Sequence, residues 1–160
     1  MLSFRPVDLQ SDWDRILMFE RDTRVASYGN DSDFSEARFR AHLESRLENF
    51  PAGHALAMDN GVLAGMVQAW ISEYHGRRIG YVGLYYLTQA YRGRGLGVEL
   101  VNFSESYFIA EGVGEYHLRV SPSNERAVRF YSRCGFHRIA VEHLDHLVWR
   151  MSKGIDTSVA

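Results

Sequence analysis

Apolar positions recur along this chain in two rhythms, and the switches between them mark out its elements. Residues 2–7 alternate as a strand does, and Ser11 is placed to cap a helix that carries Trp13, Ile16, Leu17 and Glu20. Residues 23–33 lose the apolar rhythm, contain Gly29 and read as a loop. A second helix over 35–49 sets Phe39, His42, Leu43, Arg46 and Leu47 at helical intervals before Pro51 and Gly53 stop it. Strand-like runs at 54–58 and 62–72 flank Asp59-Asn60-Gly61, a hairpin-turn sequence. Residues 73–78 then predict a longer turn into a third run at 79–88, which completes an antiparallel meander.

Helical spacing returns with Leu96, Leu100, Phe103 and Tyr107, ends at Gly112, and is followed by a strand at 115–120. In residues 121–135 the side chains of Ala127, Phe130, Tyr131 and Cys134 form one stripe. Ser121 or Ser123 suits the cap of that helix, Pro122 its first turn, and Gly135 the left-handed position that ends it. Strands at 136–141 and 143–151 and a frayed tail at 152–160 close the order βααβββαβαββ. The pattern predicts an α+β fold: a mixed, mainly antiparallel sheet flanked by helices, in a single domain over 1–151. The strands at 79–88 and 115–120 are separated by one crossover helix and so can lie parallel.

Composition narrows the function. A chain of 160 residues buries roughly 70% of its unfolded surface as one domain. A net charge of −2 gives no basic stripe for nucleic acid. No run approaches the roughly 18 apolar residues of a membrane span and residues 1–6 lack an apolar signal region, so a cytoplasmic protein without a membrane partner is expected. The single cysteine, Cys134, excludes an internal disulfide and lies on the apolar stripe as a buried thiol. His143 and His146 point to opposite faces of a predicted strand, so no metal is expected.

The chemistry concentrates in Tyr91-Arg92-Gly93-Arg94-Gly95-Leu96-Gly97, which joins a strand to a helix. The first amides of a helix lack internal partners and carry roughly half a positive charge, and two arginines add fork-shaped donors, so this turn suits a phosphate. A plain strand-to-helix turn accounts for the glycines equally well. The Walker loop requires Lys-Ser/Thr after its last glycine, where Val98-Glu99 stands, and the dinucleotide fingerprint requires a different glycine spacing. Arg92, Gly95 and Gly97 instead reproduce the Arg/Gln-x-x-Gly-x-Gly loop that resembles the acyl-CoA pyrophosphate loop of the GNAT superfamily of N-acetyltransferases. Downstream, Asn124, Ala127, Tyr131, Gly135 and Phe136 are similar to the second motif of that family, in register.

The resemblance implies a site. Acetyl-CoA would be the cosubstrate, with its pyrophosphate on Arg92, Gly93, Arg94, Gly95, Leu96 and Gly97. Its pantetheine arm would lie in a gap between two splayed parallel strands, against the backbone at Leu87 and Thr88, with Asn124 near the cofactor or capping its helix. Tyr131 takes the position of the general acid of the family, acting on the departing thiolate while an amine attacks the acetyl group directly. The carboxylate that many relatives carry on the strand before the glycine loop is absent from Gly83-Leu84-Tyr85-Tyr86, and Gln89 replaces a common proline. Candidates for the missing base are Tyr85 acting through water, Glu73, His75 and His117. Tyr28 and Trp70 are candidates to line an acceptor pocket, and the acidic run Asn30-Asp31-Ser32-Asp33 with Glu36 to attract a cationic amine or simply to form a solvated turn. The expected function is acetylation of a primary amine on a small molecule or peptide; the alternative is an acyl-CoA-binding sensor without turnover. Relatives often form homodimers, and the sequence leaves that open.

Overall fold

The computed structural model describes residues 1–156. Its elements are β1 (Ser3–Pro6), α1 (Leu9–Tyr28), α2 (Glu36–Asn49), β2 (His54–Asp59), β3 (Val62–Tyr74), β4 (Arg77–Leu87), α3 (Gly97–Ala110), β5 (Glu115–Val120), α4 (Glu125–Cys134), β6 (His137–His143) and β7 (Leu147–Gly154). The predicted order and class hold. One seven-stranded sheet runs β1-β2-β3-β4-β5-β7-β6, antiparallel throughout except between β4 and β5.

Each face of the sheet buries its own core. Ile16 and Phe19 of α1 and Phe39 and Leu43 of α2 pack on Leu56, Met66 and Leu84. Leu100, Tyr107 and Phe108 of α3 pack on Val67, Ala69 and Val82 across the other face, with Tyr116, Leu118 and Val120 of β5 and the α4 side chains Ala127 and Tyr131.

Local chemistry moves several predicted boundaries. Asp8, not Ser11, caps α1 by accepting from the Gln10 amide. The helix continues to Tyr28, through the stretch predicted as a loop, and ends where Gly29 turns left-handed with φ 82°. The His75-Gly76 turn is short, with φ of 49° and 78°, because the two positive values match the twist of the flanking strands. β7 runs to Gly154 and pairs along β5, so Ser152, Lys153 and Gly154 belong to the sheet rather than to a tail. Residues 157–160 of the predicted tail lie outside the described residues.

One irregularity shapes the site. In the β3–β4 ladder Gln68 pairs with Leu84 and Ala69 with Val82, which leaves Gly83 as an extra residue. This bulge reverses the facing of β4: Val82 enters the α3 core and Leu84, two residues on, enters the α1 core. β4 and β5 pair only at Gly80–Tyr116, Tyr81–His117 and Val82–Leu118, and the ladder stops at the bulge. From Gly83 to Leu87 the strand therefore has no partner on its β5 side. A Cβ on Gly83 would lie 2.4 Å from the Trp70 ring. Gly83→Ala is expected to destabilise the fold by about 1–3 kcal/mol through that overpacking, read in a melting scan as a loss of roughly 3–10 °C.

Candidate functional site

The gap opened beyond Gly83 forms a cleft of about 410 Å³ between the β4 segment at Tyr81–Leu87, the end of β5, the second half of α1 and the first turns of α4. Four elements that diverge in sequence thus meet at one opening in the sheet, where strand edges normally occupied by a ladder are free.

Tyr131 enters this cleft from the α3 side. Asn124 caps α4 by accepting from the Ala127 amide at 3.3 Å, and Gly135, at φ 102°, ends the helix. Tyr131 packs against Tyr85, Phe130 and Phe136 with ring centroids 5.7–6.3 Å away. Its hydroxyl makes no hydrogen bond among the described residues, and burial pushes its pKa up to about 12. A phenol held protonated and unpartnered is suited to donate a proton.

Sequence reasoning assigned Glu20 only to the body of a helix; the structure aims it into the cleft from the α1 side. Burial pushes its carboxyl above the ordinary carboxylate range, against the opposing pull of Arg24 and Arg46, and it forms no ion pair among the described residues. A carboxylate tuned toward neutral pH is the usual form of a general base in an enzyme. Glu20, Arg24 and Tyr28 recur every four residues, so one stripe of α1 lines the cleft. That spacing was the signal available in the sequence.

Of the other candidate bases, Tyr85 lines the cleft but turns its hydroxyl away, and Glu73, His75 and His117 do not line it. The Tyr85 hydroxyl points to the α3 face and lies 2.6 Å from Ser104 Oγ, which itself donates to the Val101 carbonyl; burial raises the phenol further from ionisation. His117 is fully buried between Glu115 at 3.0 Å and Arg150 at 2.8 Å, and desolvation lowers its pKa. Glu73 and His75 sit at the far end of the β3–β4 hairpin, before the stretch of β4 that pairs with β5. Trp70 lies beneath Gly83 with Arg46 3.7 Å from its ring, and does not line the cleft. Tyr28 does line it, stacked on His146 at 3.8 Å.

The glycine loop follows a 3-10 turn at Gln89–Tyr91. Gly93 and Gly95 adopt φ of 72° and 75°, which leaves the amides of 93–96 without backbone acceptors among the described residues. Successive free amides beside a helix start form an anion-binding concavity. Gly97 has a second reason to be small: a Cβ there would meet the Phe130 ring at 2.7 Å, where α3 crosses α4. Arg92 donates from Nε to the Leu87 carbonyl at 2.8 Å and pairs with Asp22 at 2.9 Å, so it ties the loop to α1. Arg94 stacks 5.0 Å from the Tyr91 ring. The Thr88 amide donates to Ala64 on the β3 side, and Thr88 does not line the cleft, whereas Leu87 does.

The acidic run after α1 is held in local contacts outside the cleft lining. Asp31 and Glu36 both meet Arg21, at 3.0 and 3.5 Å, and Asp33 meets His146 at 3.3 Å.

A family model described as the acetyltransferase (GNAT) family matches residues 13–136. The chain is 28% identical over 107 residues to N-alpha-acetyltransferase 30 of Schizosaccharomyces pombe, a match covering 66% of this chain and 71% of that one. It is 36% identical over 105 residues to the mycothiol acetyltransferase of Acidimicrobium ferrooxidans, covering 63% of this chain and 32% of that protein. In fold it resembles a chain of the NatC complex solved with Gag peptide and CoA, with a TM-score of 0.71 at 20% identity, over 97% of this chain and 99% of the other.

Proposed function

The chain belongs to the GNAT acetyltransferase family and is an acetyl-CoA-dependent N-acetyltransferase, and from that premise we propose that it acetylates a primary amine in the cleft between Glu20 and Tyr131. The observation that carries this reading is the unpaired stretch of β4 from Gly83 to Leu87, with a carboxylate on one side of the sheet and a neutral phenol on the other.

Acetyl-CoA supplies an activated thioester when bound. The free amides of 93–96 with Arg94 would hold its pyrophosphate, and the open edge of β4 its amide-bearing arm. Glu20 takes the proton from the incoming ammonium, whose pKa near 10 in water otherwise leaves the nitrogen without a lone pair. As the C–N bond forms and the C–S bond breaks, Tyr131 Oη gives its proton to the leaving sulfur, and the second proton of the attacking nitrogen, released as it becomes an amide, returns the phenolate to its neutral form. Glu20 fills the place of the carboxylate missing from β4, and that removes the reason to favour a sensor without turnover. No helix among the described residues is long and apolar enough to cross a membrane.

Calorimetric titration tests the donor. Acetyl-CoA is expected to bind saturably, with ATP and NAD inert, and Arg94→Ala to weaken binding by roughly tenfold, the size of one charge-assisted hydrogen bond. Absence of binding would overturn the reading.

A further inference from the structure

The charges around the cleft do not balance. Arg92 is matched by Asp22, Arg119 and Arg150 share Glu142, and Arg21 holds Asp31 and Glu36. Two cations are left over. Arg24 lines the cleft four residues after Glu20, and its Nε is buried without a hydrogen-bond partner. Its guanidinium lies 5.0 Å from the centre of the Phe34 ring, and no hydrogen bond or ion pair among the described residues engages its donors. Arg46 reaches over from α2, held 3.7 Å above the Trp70 ring, where its charge acts on Glu20 and Tyr81. Neither arginine has a carboxylate within ion-pair distance among the described residues.

We infer that the acceptor is an acidic amine, a molecule whose reacting nitrogen is followed within a few bonds by a carboxylate that docks on Arg24, with Arg46, outside the cleft lining, adding only its positive field. The inference rests on the acetyltransferase reading of this cleft. With Glu20 ionised the group carries two positive charges against one negative, and with Glu20 protonated it carries two against none. A half-buried arginine with an unmet donor is costly, and a bound carboxylate satisfies its planar fork in a way that no neutral acceptor does. A cationic acceptor such as a polyamine meets repulsion instead. The same positive field lowers the pKa of the reacting ammonium and assists its deprotonation by Glu20. The carboxylates that would recruit a cation, Asp31, Asp33 and Glu36, do not line the cleft, and each lies against Arg21 or His146.

The test compares initial rates at saturating acetyl-CoA for four short peptides amidated at the C-terminus, beginning with Asp, Glu, Ser or Lys, and for free glutamate and spermidine. Acidic acceptors are expected to exceed the serine peptide in kcat/KM by roughly ten- to a hundredfold, the worth of a charge-assisted pair. Arg24→Gln should bring that ratio toward one, mainly through KM, and Arg24→Glu should turn the preference toward the lysine peptide and spermidine. Activity on the peptides but not on glutamate places the acceptor on a polypeptide N-terminus, and the reverse makes it a small molecule. Acidic acceptors no better than serine, or a ratio untouched by Arg24→Gln, overturns the inference while acetyl-CoA binding in the same preparations still supports the enzyme. Loss of acetyl-CoA binding by the wild-type protein overturns both.

Discussion

Replacing Glu20 with glutamine is expected to lower kcat for amine acetylation by about 10²-fold or more, the usual worth of a positioned general base. The amide keeps the shape of the side chain and removes only its ability to take a proton. Wild-type activity should fall on acidification through the pKa of Glu20, which burial holds above the usual 4.5, and the variant should lose that limb of the profile. Stability should move the other way. Because the folded-state pKa is raised, the unfolded chain ionises Glu20 more readily than the folded one, and folding is penalised as the pH rises above the unfolded value. Glutamine carries no such penalty, so Glu20→Gln should melt higher than wild type at pH 8, with the difference shrinking at pH 4. Loss of rate together with gain of melting temperature distinguishes a functional carboxylate from a structural one. Full activity in the variant would move the base elsewhere.

Tyr131→Phe is expected to lower kcat by a similar factor, about 10² or more, with little change in melting temperature. The ring contacts with Tyr85, Phe130 and Phe136 survive the substitution, and the lost hydroxyl has no hydrogen bond among the described residues to leave unmet. The wild-type phenol stays protonated up to its pKa of about 12, so Tyr131 should add no descending limb to the pH–rate profile below the alkaline range. Acceptors give one further handle. If proton delivery to the thiolate limits the reaction, the defect should be the same for fast and slow amines, measured as kcat with saturating donor. A Tyr131→Phe enzyme with wild-type kcat would exclude the phenol as the acid.

The motif residues were legible in the sequence because their reasons are local. Asn124 caps, Gly135 terminates, and Gly93 and Gly95 turn the chain with positive φ whatever surrounds them. Glu20 was obscured for a physical reason. The apolar rhythm of α1 fades after Phe19 because Arg24, Ser27 and Tyr28 face a cleft instead of a core, so a continuing helix looked like the beginning of a loop. His117 misled in the opposite direction. Its imidazole looks available in a strand, but its two nitrogens are taken by Glu115 on the same strand and by Arg150 on β7, a partner set by strand order. The opening between β4 and β5 likewise depends on where the Trp70 ring lies relative to Gly83, a contact across the sheet.

The extra residue at Gly83 also divides β4 into two stretches of opposite parity. Before it, odd positions such as Tyr81 look toward α1 and α2; after it, even positions such as Leu84 and Tyr86 do. Redesign of acceptor preference from this strand therefore has Tyr81, Leu84 and Tyr86 to work with, an irregular set that counting by twos would miss. A library built on strict alternation would place half its diversity on the α3 side, where Tyr85 and Leu87 back the cleft beside Tyr131 and the α3 core.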